Sequence, residues 1–323
     1  MDTEVLIVGA GPVGLTLSID LGKRGIRCIL IENNEAPLGY PKMERCNPRT
    51  MEIFRRLGLA DTLRAAGYPP DWPMDIYLVF DLMRPPLFKM AHPTVAQAKA
   101  RRDADAIDLS WKLAATLREW GGPKLLQSYE AERRPIGAIN VKASGGGTAG
   151  RMKWRAAYRP NIEDDTPSGR AALANLLAIA KEEAPKTFRV VGAELGYRYA
   201  DSPVICDEPG GPAPNIEEYV PTSWPGSRLP HVWLEPGEIS VHDRIADGFT
   251  LLRLGRNKVD VSGLQRSFSA IGAPFSALDV DCEAARRVYG FDYLLVRPDL
   301  HVVWRGDALP KDLDRLALVV TGH

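Results

Sequence analysis

The chain has 323 residues, enough for two domains that each bury a core. Lysine plus arginine and aspartate plus glutamate both number 41, so the formal charge is zero and no net field favours nucleic acid or an anionic membrane. The four cysteines, Cys28, Cys46, Cys206 and Cys282, are far apart and make no CxxC or metal spacing, which predicts reduced thiols in a cytoplasmic protein.

Met1 is followed by charged Asp2 and Glu4 and then by a strand pattern, so no leader peptide is expected, and no apolar run approaches membrane-spanning length. Glu4 to Val8 reads as a strand buried on both faces. A glycine turn follows, then a helix from Pro12 to Arg24 stopped by Gly25, then a second strand from Ile26 to Glu32. Asn47 to Ala66 is helical, with Asn47 or Thr50 as N-cap and Gly58 as an interruption. Residues 67–93 are proline-rich and mostly irregular, with only Asp75 to Phe80 resembling a strand. Amphipathic spacing predicts a helix over Asp108 to Trp120 and another near 124–142, after which SGGGTAG (144–150) predicts a break. A further helix is predicted from Gly169 to Glu183. Beyond a Pro/Gly-rich boundary at 203–230, the order strand (249–255), helix, strand (274–281), helix, hairpin and closing helix predicts a small α/β sandwich.

Chemistry is most legible at GAGPVG, residues 9–14. A GxGxxG between strand and helix uses Gly9 for the tight turn, Gly11 to admit a diphosphate and Gly14 for close helix–strand packing. Pro12 and Val13 complete the turn, and the helix N-terminus offers amides and partial positive charge to phosphate. Glu32, at the tip of the second strand, is placed to accept from ribose hydroxyls. These features predict dinucleotide binding and serve FAD and NAD equally.

Three further blocks carry a family resemblance. PKMERCNPRTMEIFRRLGLAD (41–61), DAIDLSWKLAATLREWGGPKLLQSYEAERRPIG (105–137) and the pair LPHVWLEPGEISVHDRIADGFTLLRLG and YGFDYLLVRPDLHVVWRGD resemble the flavin-dependent aromatic hydroxylases of the phenol and polyketide branch. The resemblance implies FAD as cofactor, NAD(P)H as electron donor and a small aromatic substrate. It also implies that Arg45, with Lys42 and Arg49 as alternates, contacts the flavin's phosphate or ribitol, and that Asp105 and Ala106 open a helix beside the flavin. The fold class it implies is α/β: an incomplete Rossmann-like FAD-binding domain over 1–150, a connector over 151–225 left from a substrate domain, and a thioredoxin-like domain over 226–323. Because Cys282 stands alone, that last domain is expected to be structural or homodimer-forming rather than a thiol exchanger.

The family's DGxxSxxR and Gly-Asp-Ala-x-His signatures are absent, and the sequence passes from AHPTVAQAKARRDA directly to DAIDLSWKLAA, so an interior segment is expected to be missing near 102–105. No acid or base can be named as catalytic, and Tyr197 and Tyr199 are expected to be packing residues. His92, His231, His242, His301 and His323 show no metal spacing. Two other readings stay open: a non-catalytic flavoprotein remnant acting as an interaction module, and an NAD(P)-dependent reductase using the same glycine turn.

Overall fold

The computed structural model describes residues 3–36, 46, 48–67, 69, 71–72, 74–91, 105–255 and 258–323. Its first unit is β1 (Val5–Val8), α1 (Pro12–Lys23) and β2 (Cys28–Ile31), with β1 and β2 paired in parallel from Val5 opposite Cys28 to Val8 opposite Ile31. Period-two alternation sends Val5 and Ile7 inward onto Leu17, Leu21, Ile26 and Ala114. The same alternation leaves Leu6 and Val8 facing outward, 57% and 78% exposed. Gly25 stops α1 with a φ of +71°, a conformation only glycine adopts cheaply.

The predicted helix over 47–66 divides into α2 (Pro48–Leu57) and α3 (Ala60–Ala66) around Gly58, whose φ is +78°. Thr50 lies inside α2 and does not cap it, and Asn47 falls outside the described residues. The expected strand at 75–80 is β3 (Ile76–Leu78), which forms a hairpin with β4 (Phe88–Met90). Sequence reading left β4 irregular because three residues between prolines carry no measurable period.

α4 (Asp105–Leu117) and α5 (Pro123–Ala156) follow. The predicted break at SGGGTAG is corrected here, since α5 runs unbroken through it for 34 residues. Each glycine costs roughly 1 kcal/mol in a helix interior, but α6 (Pro167–Glu183) packs alongside, and a Cβ on Gly150 would lie 3.2 Å from Glu183 Oε2. Packing outweighs propensity, and Gly150 permits the close approach. Thr166 caps α6 by accepting from the Gly169 amide, and α7 (Val191–Leu195) lies beyond.

The C-terminal part runs β5 (Trp233–Glu235), β6 (Ile239–Ser240), α8 (Val241–Arg244), β7 (Phe249–Arg253), α9 (Ser262–Ile271), β8 (Phe275–Asp279), α10 (Glu283–Tyr289), β9 (Tyr293–Val296), β10 (Val302–Gly306) and α11 (Leu313–Thr321). One four-stranded sheet has the order β10-β9-β7-β8, with β7 and β8 parallel and β9 antiparallel to its neighbours, which is the topology of a thioredoxin-like domain. Successive residues of the central strands enter opposite cores: Leu251, Tyr293 and Leu295 go to one side, Leu252, Leu294 and Val296 to the other.

The first of those cores also contains Trp111 and Ala115 of α4 and Leu125 and Ile136 of α5. Trp111 and Trp120 meet Phe249 edge-on at 6.0 and 6.2 Å. The backbone joins in: the Gly122 amide donates to Thr321 O at 2.8 Å and the Lys124 amide to Gly322 O at 3.0 Å. The thioredoxin-like domain is therefore packed on α4 and α5 through a shared core. Asp312 caps α11 by accepting from the Arg315 amide at 2.8 Å. Asp312→Ala is expected to cost about 1 kcal/mol, read as a shift in the midpoint of chemical unfolding with an unchanged slope.

Candidate functional site

At the end of β1 the chain must turn sharply before α1 begins. Gly9 does so at φ +104° while its amide donates to Ile31 O at 2.8 Å. Gly11 is the N-cap of α1 in an extended conformation, with no side chain capping the helix, and Pro12 fills the first helical position with its φ already set. A Cβ added to Gly14 would lie 2.0 Å from Gly9 O, so no larger residue fits there without opening the turn. A Cβ on Gly11 would meet nothing within 4 Å. The surface above it is open, and Val13 beside it is 70% exposed.

Glu32 follows β2 and bends back onto the turn. Its Oε2 accepts from the Ala10 amide at 2.7 Å, while Oε1 accepts from the Asn33 and Asn34 amides at 2.8 and 3.0 Å and from Asn34 Nδ2 at 2.8 Å. The Asn34 and Ala10 amides lead in holding this exposed carboxyl down at about 2. It is therefore ionised throughout the neutral range. A carboxylate has about four acceptor positions, so Oε2 keeps capacity for a hydroxyl. An uncapped helix N-terminus, an open glycine surface and a fixed anion suit the diphosphate and ribose of a dinucleotide. The residues present fit that end of the cofactor.

The remaining predicted positions fare differently. Arg45 and Lys42 lie outside the described residues, and Arg49 falls in the first turn of α2. Asp105 is the first residue of α4, a helix packed against α1. Asp108, the first residue of the helix predicted over 108–120, is wholly buried within α4 and bonds to Lys112 and Arg297. Tyr197 and Tyr199 are buried, with Tyr199 stacked on His301 at 4.5 Å and both rings facing Arg133. Among the described residues β1 pairs with β2 alone, and Ile31 joins Leu6 and Val8 on an exposed apolar face.

Sequence reasoning missed a buried charged cluster. Arg297, in the turn after β9, donates to Glu132 at 2.7 and 2.8 Å, to Asp299 at 2.7 and 2.9 Å and to Asp108 at 3.2 Å. Lys112 reaches Asp108 at 3.0 Å and Glu132 at 2.5 Å. The available signal was a pair of opposite charges, Asp108 and Lys112, four apart on the otherwise apolar face of α4. Three residues of α2 likewise hold the C-terminal domain: Glu52 pairs with Arg228, Arg55 with Asp243 at 2.7 Å, and Arg56 donates to Pro298 O at 2.9 Å. Among the described residues no group of three His, Cys, Asp or Glu side chains is arranged to hold a metal, and no helix is long and apolar enough to cross a membrane.

Comparison with known proteins matches residues 2–77 and 103–144 to an FAD binding domain and residues 222–322 to the aromatic-ring hydroxylase C-terminal domain. An FAD-dependent monooxygenase, apdD, of Emericella nidulans is 31% identical over 238 residues, covering 68% of this chain and 37% of that protein. A phenol 2-monooxygenase of a Pseudomonas species is 29% identical, covering 64% of this chain and 39% of that protein. The chain thus spans well under half the length of these relatives. Among solved structures, RebC soaked with chromopyrrolic acid and holding 7-carboxy-K252c superposes with a TM-score of 0.87 at 22% identity, covering 99% of both chains.

Proposed function

The chain belongs to the FAD-binding aromatic-ring hydroxylases, and from that premise we propose that it is an FAD-dependent monooxygenase of small aromatic compounds, with NAD(P)H as electron donor. When bound, FAD would supply the redox and oxygen chemistry for hydroxylating an electron-rich ring. The chain's own part begins at the turn. Gly11 lets the diphosphate approach backbone, Pro12, Val13 and Gly14 present the first turn of α1, and Gly9 sets the bend. Glu32 holds Ala10 in place and accepts from ribose. Arg45 and Asp105 serve the phosphate or ribitol and the flavin face. On this reading residues 151–225 are the remainder of a substrate domain, the C-terminal domain supports a homodimer, and the protein works in the cytoplasm.

The observation that supports the reading is that a Cβ on Gly14 would lie 2.0 Å from Gly9 O while one on Gly11 would meet nothing within 4 Å, a tight turn beside an open surface. Purified protein is expected to be yellow with flavin bands near stoichiometry, and to oxidise NADPH faster when a phenol is present. Colourless protein that takes up no added FAD defeats the proposal. Glu32→Ala is expected to weaken FAD binding roughly ten- to a hundredfold, measured by quenching of flavin fluorescence, through loss of charge-assisted bonds to Ala10 and ribose. Because Glu32 titrates at about 2, the wild-type affinity should show no inflection from this group above about pH 4.

The exposed apolar face of Leu6, Val8 and Ile31 favours a second reading, in which the chain holds FAD without walling in a reaction. Flavin retained at full occupancy, with NADPH oxidation that yields peroxide and no hydroxylated phenol, would select it.

A further inference from the structure

A line of buried contacts connects the C-terminal domain to the glycine-turn helix, and the proposed reaction does not use it. Arg297, Asp299, Asp108 and Lys112 have no exposed side-chain surface, nor does Glu132 where it meets Arg297. α4 turns Asp108 and Lys112 toward this cluster, while its Ser110 hydroxyl donates to Asp20 on α1. Asp20 is itself buried and pairs with Arg24 at 2.9 Å. Each side chain named in this line, from Arg297 through Asp108 and Ser110 to Asp20, is buried.

We propose that this line positions α1 from the C-terminal domain, with Asp108 as its joint, and that the joint gains and loses a proton across the neutral range. Two cations, Arg297 and Lys112, bond three carboxylates, Asp108, Glu132 and Asp299, while His301 lies against Asp299 alone of the three. Ionising all three carboxyls in a dry interior requires every charge to be compensated by these donors, which is costliest for the carboxyl with the poorest set of bonds. Geometry selects which carboxyl that is. Glu132 takes both ends of the Arg297 fork and a bond from Ser202, and Asp299 takes two bonds from Arg297 and lies 2.9 Å from His301 Nδ1. Asp108 receives only the longer 3.2 Å bond and Lys112.

Burial opposes ionisation of Glu132, but Arg297 and Lys112 overcome it and hold that group at about 2. Burial likewise opposes Asp299, which Arg297 and His301 keep well below the usual range. For Asp108 burial prevails and pushes it up to about 7, against Lys112 and Arg297 and with help from Glu132 and Asp299. The other ionisable groups facing it are Tyr129 from α5 and Tyr199 from the connector. Since its folded value lies above the unfolded 3.8, protonated Asp108 favours the folded arrangement at low pH, and the contribution is lost as pH rises through about 7. Glu132 and Asp299, shifted downward, withdraw stability only as pH falls below the ordinary carboxylate values.

The test uses the full chain without added ligand, so it stands apart from the FAD reading. Carbon-13 carboxyl NMR of aspartate-labelled protein is expected to show one aspartate titrating near pH 7, absent in Asp108→Asn. Hydrogen exchange in α1, corrected for intrinsic rates, should show protection falling roughly tenfold between about pH 6 and about pH 8.5. Asp108→Asn should hold that protection constant. If every aspartate titrates below about pH 5, or if α1 protection in wild type is equal at the two pH values, the proposal is overturned. The wild-type measurements decide this by themselves, whether or not the variant folds.

Discussion

Arg297→Met is expected to cost about 3–5 kcal/mol of folding stability, because it leaves Asp108, Glu132 and Asp299 in the interior without the guanidinium that bonds all three. For a chain of this size that corresponds to a fall in Tm of roughly 4–7 °C. Methionine fills much of the arginine's volume, so the loss reports on charge and hydrogen bonds more than on a cavity. Arg297→Lys is expected to recover little: an ammonium cannot bond Glu132, Asp299 and Asp108 at once as the guanidinium fork does. The exposed Arg134–Glu130 pair, four apart on α5, provides the contrast. Removing it should change stability by under about 0.5 kcal/mol. Equal losses at the two sites in thermal unfolding would show that burial is not what gives the Arg297 cluster its weight.

Two glycine variants in one turn should fail in different ways. Gly14→Ala drives a methyl to 2.0 Å from Gly9 O, and backbone cannot yield as a flexible side chain would. The turn between β1 and α1 must open, costing about 1–3 kcal/mol or more, and FAD retention should be lost altogether. Gly11→Ala meets no atom within 4 Å, at a φ of −70° that any residue adopts. Its stability should stay within about 0.5 kcal/mol of wild type. FAD affinity should nevertheless fall at least about tenfold, since the methyl stands where the diphosphate meets backbone. Thermal unfolding of both apo-proteins beside flavin titration separates the cases. A Gly11→Ala protein that binds FAD like wild type would place the diphosphate elsewhere.

The glycine turn was legible because its requirements are local. Gly9, Gly11, Gly14 and Glu32 lie within one βαβ unit, and each answers a steric or electrostatic demand set by residues at most 22 positions away. The C-terminal alternation of strands and helices was legible for a related reason, since β7 and β9 are apolar on both faces and stand out as continuous runs. Family resemblance in the blocks at 41–61 and 105–137 supplied the choice of FAD over NAD, which spacing alone left open.

What local pattern misjudged depended on distant partners. SGGGTAG has the composition of a linker, yet α6 holds it helical; Asp108 opens the predicted helix, yet Arg297, 189 residues later, takes it into the interior. Composition and period therefore determined by themselves that this chain is α/β, that it begins with a dinucleotide turn and that it closes with a small α/β sandwich, which the resemblance identified as thioredoxin-like. Only the tertiary structure decided that α4 and α5 share a core with that domain and that a charged cluster lies buried between them. The physical reason is range: propensity and spacing act over a few residues, whereas dehydration of a charge is settled by whatever the whole fold packs around it.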